Sequence, residues 1–326
     1  MRTLAVECDS RGELLGASPA FLATLAQIRR MATSEAPVLI EGETGSGKEL
    51  AARAVHYWGG RNAGPFVPVN CGALPDNLLE AELFGHERGA FTDAKLSRGG
   101  LVAEADGGTL FLDEIDALSA KAQVTLLRFL QDQRYRPVGS SREMSCNVRV
   151  IAATNQPLAE AVQQGRFRCD LLYRLKILHL ILPPLRLRVG DAELLAQHFL
   201  RVLCAKYRLP LRAFDRATLD WMRHHPWPGN VRELENWVHR ELLMADTPVI
   251  GLTDVPPGDS TAQAAATVPF RDAKAQAVLA FERDYVMAMM RQTGGNVTRA
   301  AQLAGKERRA FGKLVKKHGV GRGDLG

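Results

Sequence analysis

The stretch APVLIEGETGSGKELAARAVH constrains the fold more than any other part of the chain. A short apolar strand over residues 37–40 runs into a glycine-rich loop, Gly42-Glu43-Thr44-Gly45-Ser46-Gly47, then into Lys48 and a helical pattern. In that order the loop turns several backbone N–H groups toward one point at a helix N-terminus, where they and a lysine ammonium can bind the phosphates of a nucleotide. Such a loop needs a strand beneath it and a helix after it. The expected architecture is therefore an α/β domain with a parallel sheet flanked by helices. Glu49 stands where the general form of the loop offers a Ser or Thr hydroxyl to magnesium.

A second segment, GGTLFLDEID, reads as a buried strand with Asp113 and Glu114 at its carboxyl end, the edge at which open α/β sheets bind ligands. An Asp there can hold Mg2+ and the following Glu can polarise an attacking water. A third strand, VRVIAATNQPL, ends in Thr154 and Asn155, short polar groups able to position a water or sense a terminal phosphate. Arg166, Arg168 and Arg174 follow in GRFRCDLLYRL, and Arg232 lies just inside a helix in WPGNVREL. Arginines can reach phosphates bidentately and stabilise transition-state charge.

Composition limits the alternatives. At 326 residues, 46% hydrophobic and 24% charged, the chain has material for two or three domains. It has no apolar run of membrane-spanning length, and its N-terminus lacks the basic start and apolar centre of a signal peptide; a cytoplasmic protein without membrane insertion is expected. Five scattered cysteines suggest neither a disulfide framework nor a zinc site. Net charge is +6, and it resides in the tail: from residue 270 onward there are twelve Lys and Arg against five Asp and Glu. A basic tail on a near-neutral body is the electrostatic footprint of a nucleic-acid-binding module. Between the two, residues 246–270 are rich in Pro, Gly, Ser, Thr and Ala without a Lys or Arg, and read as a linker.

The motifs GETGSGKE, VNCGALPDNLLEAELFGHERGAFTDA, ADGGTLFLDEID, IAATN, GRFRCDLLYRL, LPPLR and WPGNVREL, together and in this order, resemble the AAA+ ATPase domain of bacterial enhancer-binding proteins, the activators of sigma-54 RNA polymerase. That family is similar in having Glu after the loop lysine. The resemblance implies ATP and Mg2+ as ligands. Lys48 would bind phosphates, Asp113 would hold the metal through ATP, Glu114 would activate water, and Asn70 would restrain Glu114. Thr154 and Asn155 match the first sensor and Arg232 the second. Arg168 and Arg174 match arginine fingers that reach a neighbouring subunit's site, which implies a ring, typically a hexamer. Gly89, Ala90, Phe91, Thr92, Asp93 and Ala94 resemble the family's Gly-Ala-Phe-Thr-Gly-Ala loop, which contacts sigma-54. A glycine-hinged aromatic is a compact apolar anchor that a small backbone change can show or withdraw. Asp93 replaces the second glycine and favours a second reading, a regulator of the same architecture that represses or acts without sigma-54.

In the tail, apolar spacing predicts helices over 273–292, 297–304 and 307–318 with glycine turns between them, a helix-turn-helix of all-α type. Val297, Ala300, Ala301, Leu303, Phe311 and Leu314 are expected to pack it; Lys306, Arg308, Arg309, Lys313, Lys316 and Lys317 are expected to face double-stranded DNA. The block resembles the family's Fis-type domain. Val278, Phe281, Tyr285 and Met289 share one face of the preceding helix and are expected to pair two subunits. The expected divisions are an extension over 1–14, an α/β subdomain over 15–183, a helical lid over 184–245, a linker over 246–272 and the helix-turn-helix over 273–326. The resemblance begins about a dozen residues from Met1, which leaves no room in this sequence for a receiver or ligand-sensing domain. If the sequence is the complete chain, a partner acting in trans, either an inhibitor or a paralogous subunit, is expected to provide control; the alternative is a truncated piece of a longer protein.

Overall fold

The computed structural model describes residues 14–73, 76–90, 96–251, 286, 289, 290, 293, 296–306 and 308–317. The chain divides into two compact units, Met1–Leu252 and Thr253–Gly326, and each is described by itself.

The first unit is built on a five-stranded parallel sheet. Its strands are β1 (Val38–Glu41), β2 (Phe66–Asn70), β3 (Thr109–Asp113), β6 (Arg149–Thr154) and β7 (Leu178–Ile181), in the order β2-β3-β6-β1-β7. Two short strands, β4 (Arg134–Tyr135) and β5 (Met144–Ser145), form a separate antiparallel hairpin. Strand residues alternate between faces, and the core divides accordingly. Leu39, Leu110, Leu112, Val150 and Ala152 pack on one side with residues of α3 (Asp76–Phe84), α4 (Leu101–Glu104), α5 (Ala120–Asp132), α6 (Leu158–Gln163) and α7 (Cys169–Leu175). Val38, Ile40, Phe111, Ile151, Ala153 and Leu180 face the other side, against α1 (Pro19–Ala32) and α2 (Lys48–Tyr57). Both faces are covered, which is why these strands read as near-continuous apolar runs.

A helical lid follows, made of α8 (Asp191–Tyr207), α9 (Arg216–His224) and α10 (Asn230–Met244). Trp227 and Trp237 anchor its core, with Leu195, Leu200, Leu203, Met222, Leu234 and Val238. Val249–Ile250 lies inside the segment whose composition reads as linker, but it pairs in parallel with Ala213–Phe214, and Ile250 is buried in the lid core. Turn-rich composition does not register two residues that close a lid.

In the second unit α11 (Val297–Leu303) and α12 (Arg308–Lys317) form the two short helices of the expected motif. Asn296 caps α11, its Oδ1 accepting from Thr298 N and Arg299 N at 3.1 and 3.2 Å. The helix ends in a Schellman motif: Gly305 takes φ +60°, its N–H bonds Gln302 O, and Lys306 N–H bonds Ala301 O. Ala300, Ala301 and Phe311 form the core with Val286 and Met290, and Val297 and Leu314 pack against it. Leu303 does not join them and is 56% exposed. Positions 297, 300, 301 and 304 already complete one face at 3.6 residues per turn, so Ala304 takes the place expected for Leu303. Met289, expected on a subunit-pairing face, packs on this same core. Val278, Phe281 and Tyr285 lie outside the described residues.

Candidate functional site

The parallel register brings the chemical groups to one edge. Glu41, the last residue of β1, stands opposite Thr154 at the end of β6, and Asn70 at the end of β2 stands opposite Asp113 at the end of β3. The phosphate loop leaves the sheet at the end of β1, the strand between β6 and β7. Gly47 caps α2 with φ +97°, a conformation open to glycine and strained for any other residue.

Lys48 is only 7% exposed, and its Nζ donates to Gly42 O at 2.8 Å, Glu43 O at 3.3 Å and Asn155 Oδ1 at 2.5 Å. Burial lowers the affinity of this ammonium for its proton; the carboxylates of Asp113, Glu114 and Asp116 act the opposite way, and the Arg232 charge adds to the lowering. Those four charges therefore lie within electrostatic reach of the loop lysine. Asp113 Oδ1 accepts the Glu114 N–H at 3.0 Å. Glu114 itself sits at φ 53°, a left-handed strain of about 1–3 kcal/mol for a non-glycine residue. A Cβ on Gly72 would meet Glu114 Oε2 at 2.5 Å, so the missing side chain of Gly72 makes room for the carboxylate. Asn70 Oδ1 accepts from Gly72 N at 2.8 Å, and no hydrogen bond joins Asn70 to Glu114 among the described residues.

Thr154 is fully buried; its hydroxyl donates to Asp116 Oδ1 at 2.8 Å and lies 3.0 Å from Gln156 O. Gln156 Nε2 holds the other Asp116 oxygen at 2.8 Å. Arg168 forms a two-bond pair with Asp170 on the surface, and Arg174 donates from Nε and Nη2 to Leu130 O, one of the free carbonyls at the end of α5. Arg166 pairs with Gln164. Glu49 points away from the loop into an exposed pair with Arg53 at 2.7 Å. Among the described residues no group of three or more His, Cys, Asp or Glu could hold a metal alone. Asp113 next to nucleotide phosphates suits Mg2+, which takes few protein ligands.

Several functional contacts had no signature in the sequence reading. Asn230 Oδ1 accepts from Leu185 N at 2.8 Å, while its Nδ2 donates to Thr44 O at 3.0 Å and Glu43 Oε2 at 3.2 Å. Val231 N donates to Gly45 O at 3.0 Å. Arg186 grips Glu43 with two bonds of 2.7 and 2.6 Å, and that pairing is the main reason the Glu43 carboxyl lies below its ordinary range. On the far side of the loop lies a cavity of about 420 Å3. Its largely apolar wall includes Leu14, Leu15, Phe21, Ile28, Leu50, Leu182, Phe199 and Val231, with Ser46 and Gly47 at the phosphate end. A fully buried Asp191 ties this wall to the lid. Its Oδ1 accepts from Ala17 N and Ser18 N at 2.7 and 2.9 Å, and its Oδ2 from Ser18 Oγ and Arg188 Nε at 2.9 and 2.8 Å.

Gly89 takes φ +82°, and His86 at the root of its loop bridges both Arg98 and Val138. A Cβ on Gly139 would meet Ala90 Cβ at 2.9 Å, so the bend after β4 supports the loop base. Phe91, Thr92, Asp93 and Ala94 lie outside the described residues. In the tail, Lys306, Arg308, Arg309, Lys313 and Lys317 are exposed, and the Lys316 side chain lies outside the described set.

A phosphate loop on β1, an acidic pair ending β3, polar groups ending β6 and a helical lid bonded to the loop define an AAA+ P-loop nucleotide-hydrolysing domain. The model of the Sigma-54 interaction domain matches residues 14–181, and that of the AAA+ ATPase lid domain matches residues 186–269. The transcriptional regulatory protein GlrR of Escherichia coli K12 is 43% identical over 318 residues, covering 97% of this chain and 70% of that protein. The transcriptional regulatory protein ZraR of Klebsiella oxytoca is 45% identical over 298 residues, covering 91% and 67%. The crystal structure of NtrX from Brucella abortus in complex with ATP superposes with a TM-score of 0.73 at 33% identity, over 95% of this chain and 70% of that one. Its complex with ADP gives 0.72, over 94% and 69%. The chain belongs to the sigma-54-dependent transcriptional activators, the bacterial enhancer-binding proteins, and is an ATPase of the AAA+ class. No helix among the described residues is long and apolar enough to cross a membrane.

Proposed function

We infer that this activator binds an upstream DNA site through its tail, assembles into a ring, and uses ATP hydrolysis to convert a sigma-54 RNA polymerase closed complex into an open one. The observation that carries this reading is that the phosphate loop and the acidic pair ending β3 lie at the carboxyl edge of the sheet, while the lid brings Arg232 Cβ within 3.1 Å of where a Gly45 side chain would begin.

ATP enters with its base toward the apolar cavity and its phosphates on the loop amides. Lys48 already binds two loop carbonyls and Asn155, so it exchanges some of these for phosphate oxygens without moving far. Asn155, released from Lys48, is placed to report the terminal phosphate. Thr154, tied to Asp116, fixes the end of β6 from which Asn155 follows and does not itself meet the phosphate, since its hydroxyl is already used and buried. Asp113 would hold Mg2+, which would neutralise charge on the phosphates. Glu114 accepts a proton from the attacking water, with Asn70 beside it as restraint. Arg232 meets the phosphates from the lid. Arg168 and Arg174, exposed on the surface, give up their present partners and serve the site of an adjacent subunit, most simply in a hexamer. Phe91 and Thr92 contact sigma-54, and hydrolysis moves their loop through its root at His86.

The test is permanganate reactivity of unpaired thymines on a sigma-54 promoter. Melting is expected with ATP and not with a non-hydrolysable analogue. If the same sample hydrolyses ATP and binds DNA yet never melts the promoter, the remodelling reading fails and the Asp93-based alternative, a repressor or a regulator working without sigma-54, replaces it. For the tail, Arg309→Ala is expected to weaken binding across DNA sequences and to reduce the slope of log affinity against log salt by about 1, as loss of one phosphate contact requires. An unchanged slope in a salt titration would remove Arg309 from the DNA face.

A further inference from the structure

Asn230 is the first residue of α10, is fully buried, and holds φ 52° in the left-handed region. It does not lie among the cavity-lining groups, and it carries no charge with which to bind phosphate. Its carboxamide nevertheless joins three segments far apart in sequence. The oxygen takes the Leu185 N–H, from the turn that leads into the lid, and the NH2 group gives to Thr44 O and to the Glu43 carboxylate, both in the phosphate loop. The next residue repeats the link, Val231 N to Gly45 O at 3.0 Å. Space for this contact exists because Gly45 lacks a side chain: a Cβ there would stand 2.2 Å from Gly229 O. Behind the junction Trp227, also left-handed at φ 48° and 2% exposed, anchors the turn in the lid core through Nε1 to Met222 O at 3.0 Å. Two strained non-glycine residues three positions apart are kept only where the surroundings determine them strongly.

We propose that Asn230 is a positioning residue that latches the lid to the phosphate loop, so that the loop geometry set by bound nucleotide and the orientation of the lid are one event. The proposal rests on the ATPase reading of the loop. Arg232 lies two residues beyond the latch, on the same helix turn, and its reach to the phosphates is fixed through it. Only a carboxamide fits all three contacts, because one end must accept from Leu185 while the other donates twice. An aspartate has the shape and tolerates the left-handed backbone, but it cannot donate, and it sets a second carboxylate against Glu43.

The experiment uses the full chain, a fluorescent N-methylanthraniloyl ADP for binding, steady-state ATP hydrolysis, and thermal melting. Asn230→Asp is expected to weaken ADP-analogue binding and to raise KM for ATP, each about tenfold, the scale of an unsatisfied buried hydrogen bond. The interaction with Glu43 supplies the second readout. In a Glu43→Gln background the amide returns from position 43, and the further loss on Asn230→Asp should shrink to about twofold. A purely structural asparagine would instead lower the melting temperature alike in both backgrounds and leave Kd and KM unchanged. That result, or an equal loss of affinity in both backgrounds, overturns the latch. Failure of the unsubstituted chain to bind the analogue or hydrolyse ATP would overturn the ATPase reading itself, and the latch with it.

Discussion

Glu114→Gln is expected to bind ATP within a few-fold of the unsubstituted chain and to hydrolyse it about 10²–10⁴ times more slowly, the usual contribution of a general base. The substitution preserves size, so the space that Gly72 leaves for the side chain stays filled. It removes only the ability to take a proton from water. The strained backbone at φ 53° is evidence that the surroundings hold this residue in a set orientation. Asp113 contributes to that orientation by accepting the Glu114 N–H, and the β2–β3 register places Asn70 opposite Asp113. Single-turnover hydrolysis beside nucleotide titration separates the two quantities. A turnover within tenfold of the original would assign water activation elsewhere, and a matching loss of affinity would make Glu114 a binding group.

The elements that hold this carboxylate were legible because their signals are local. A strand, a glycine loop and a helix lie within about twenty residues, and the acidic pair follows its own strand directly. Alternating burial across the sheet was not visible, since strands covered on both faces carry apolar residues at odd and even positions alike. Residue type and position at a strand end point to Thr154 as a group free to meet water. Asp116, which consumes its hydroxyl, lies 38 residues away, beyond the reach of a local pattern. The lid junction is only half legible. Arg232 stands out by its charge, whereas Asn230 reaches 187 residues back to Glu43, which its position marks only as part of the phosphate loop. The nearest signal was the run Trp227-Pro228-Gly229-Asn230, whose crowded turn residues precede a helix without an ordinary capping side chain. Leu303 failed for another reason: apolar type was counted where angular position on α11 decides burial.

The same distance in sequence hides the group whose loss should cost most stability. Asp191→Ala removes the acceptor of four hydrogen bonds, three of which join the chain at Ala17 and Ser18 to the start of α8, 173 or more residues later, while the fourth comes from Arg188. Among the described residues Arg188, 5% exposed, would keep as partners Leu15 O, 2.7 Å from Nη2, and the face of Phe21, 4.2 Å from the guanidinium carbon. Breaking a buried pair from one side costs roughly 3–5 kcal/mol, because the remaining charge stays desolvated. For a unit of this size that corresponds to a fall in melting temperature of about 10 °C. The effect should extend to nucleotide. Leu15 and Phe21 line the cavity proposed for the base, and the clasp between Ser18, Arg188 and Asp191 touches both: Arg188 bonds Leu15 O and lies over the Phe21 ring, and Ser18 Oγ accepts from Phe21 N. The rise in melting temperature on adding ADP, which measures affinity for the folded state, is therefore expected to shrink in the variant. Thermal melting with and without saturating ADP reads both effects. A variant that loses stability but keeps the full ADP increment would show that the clasp supports the lid without shaping the base pocket; one that keeps its melting temperature would show that the buried pair contributes no net stability.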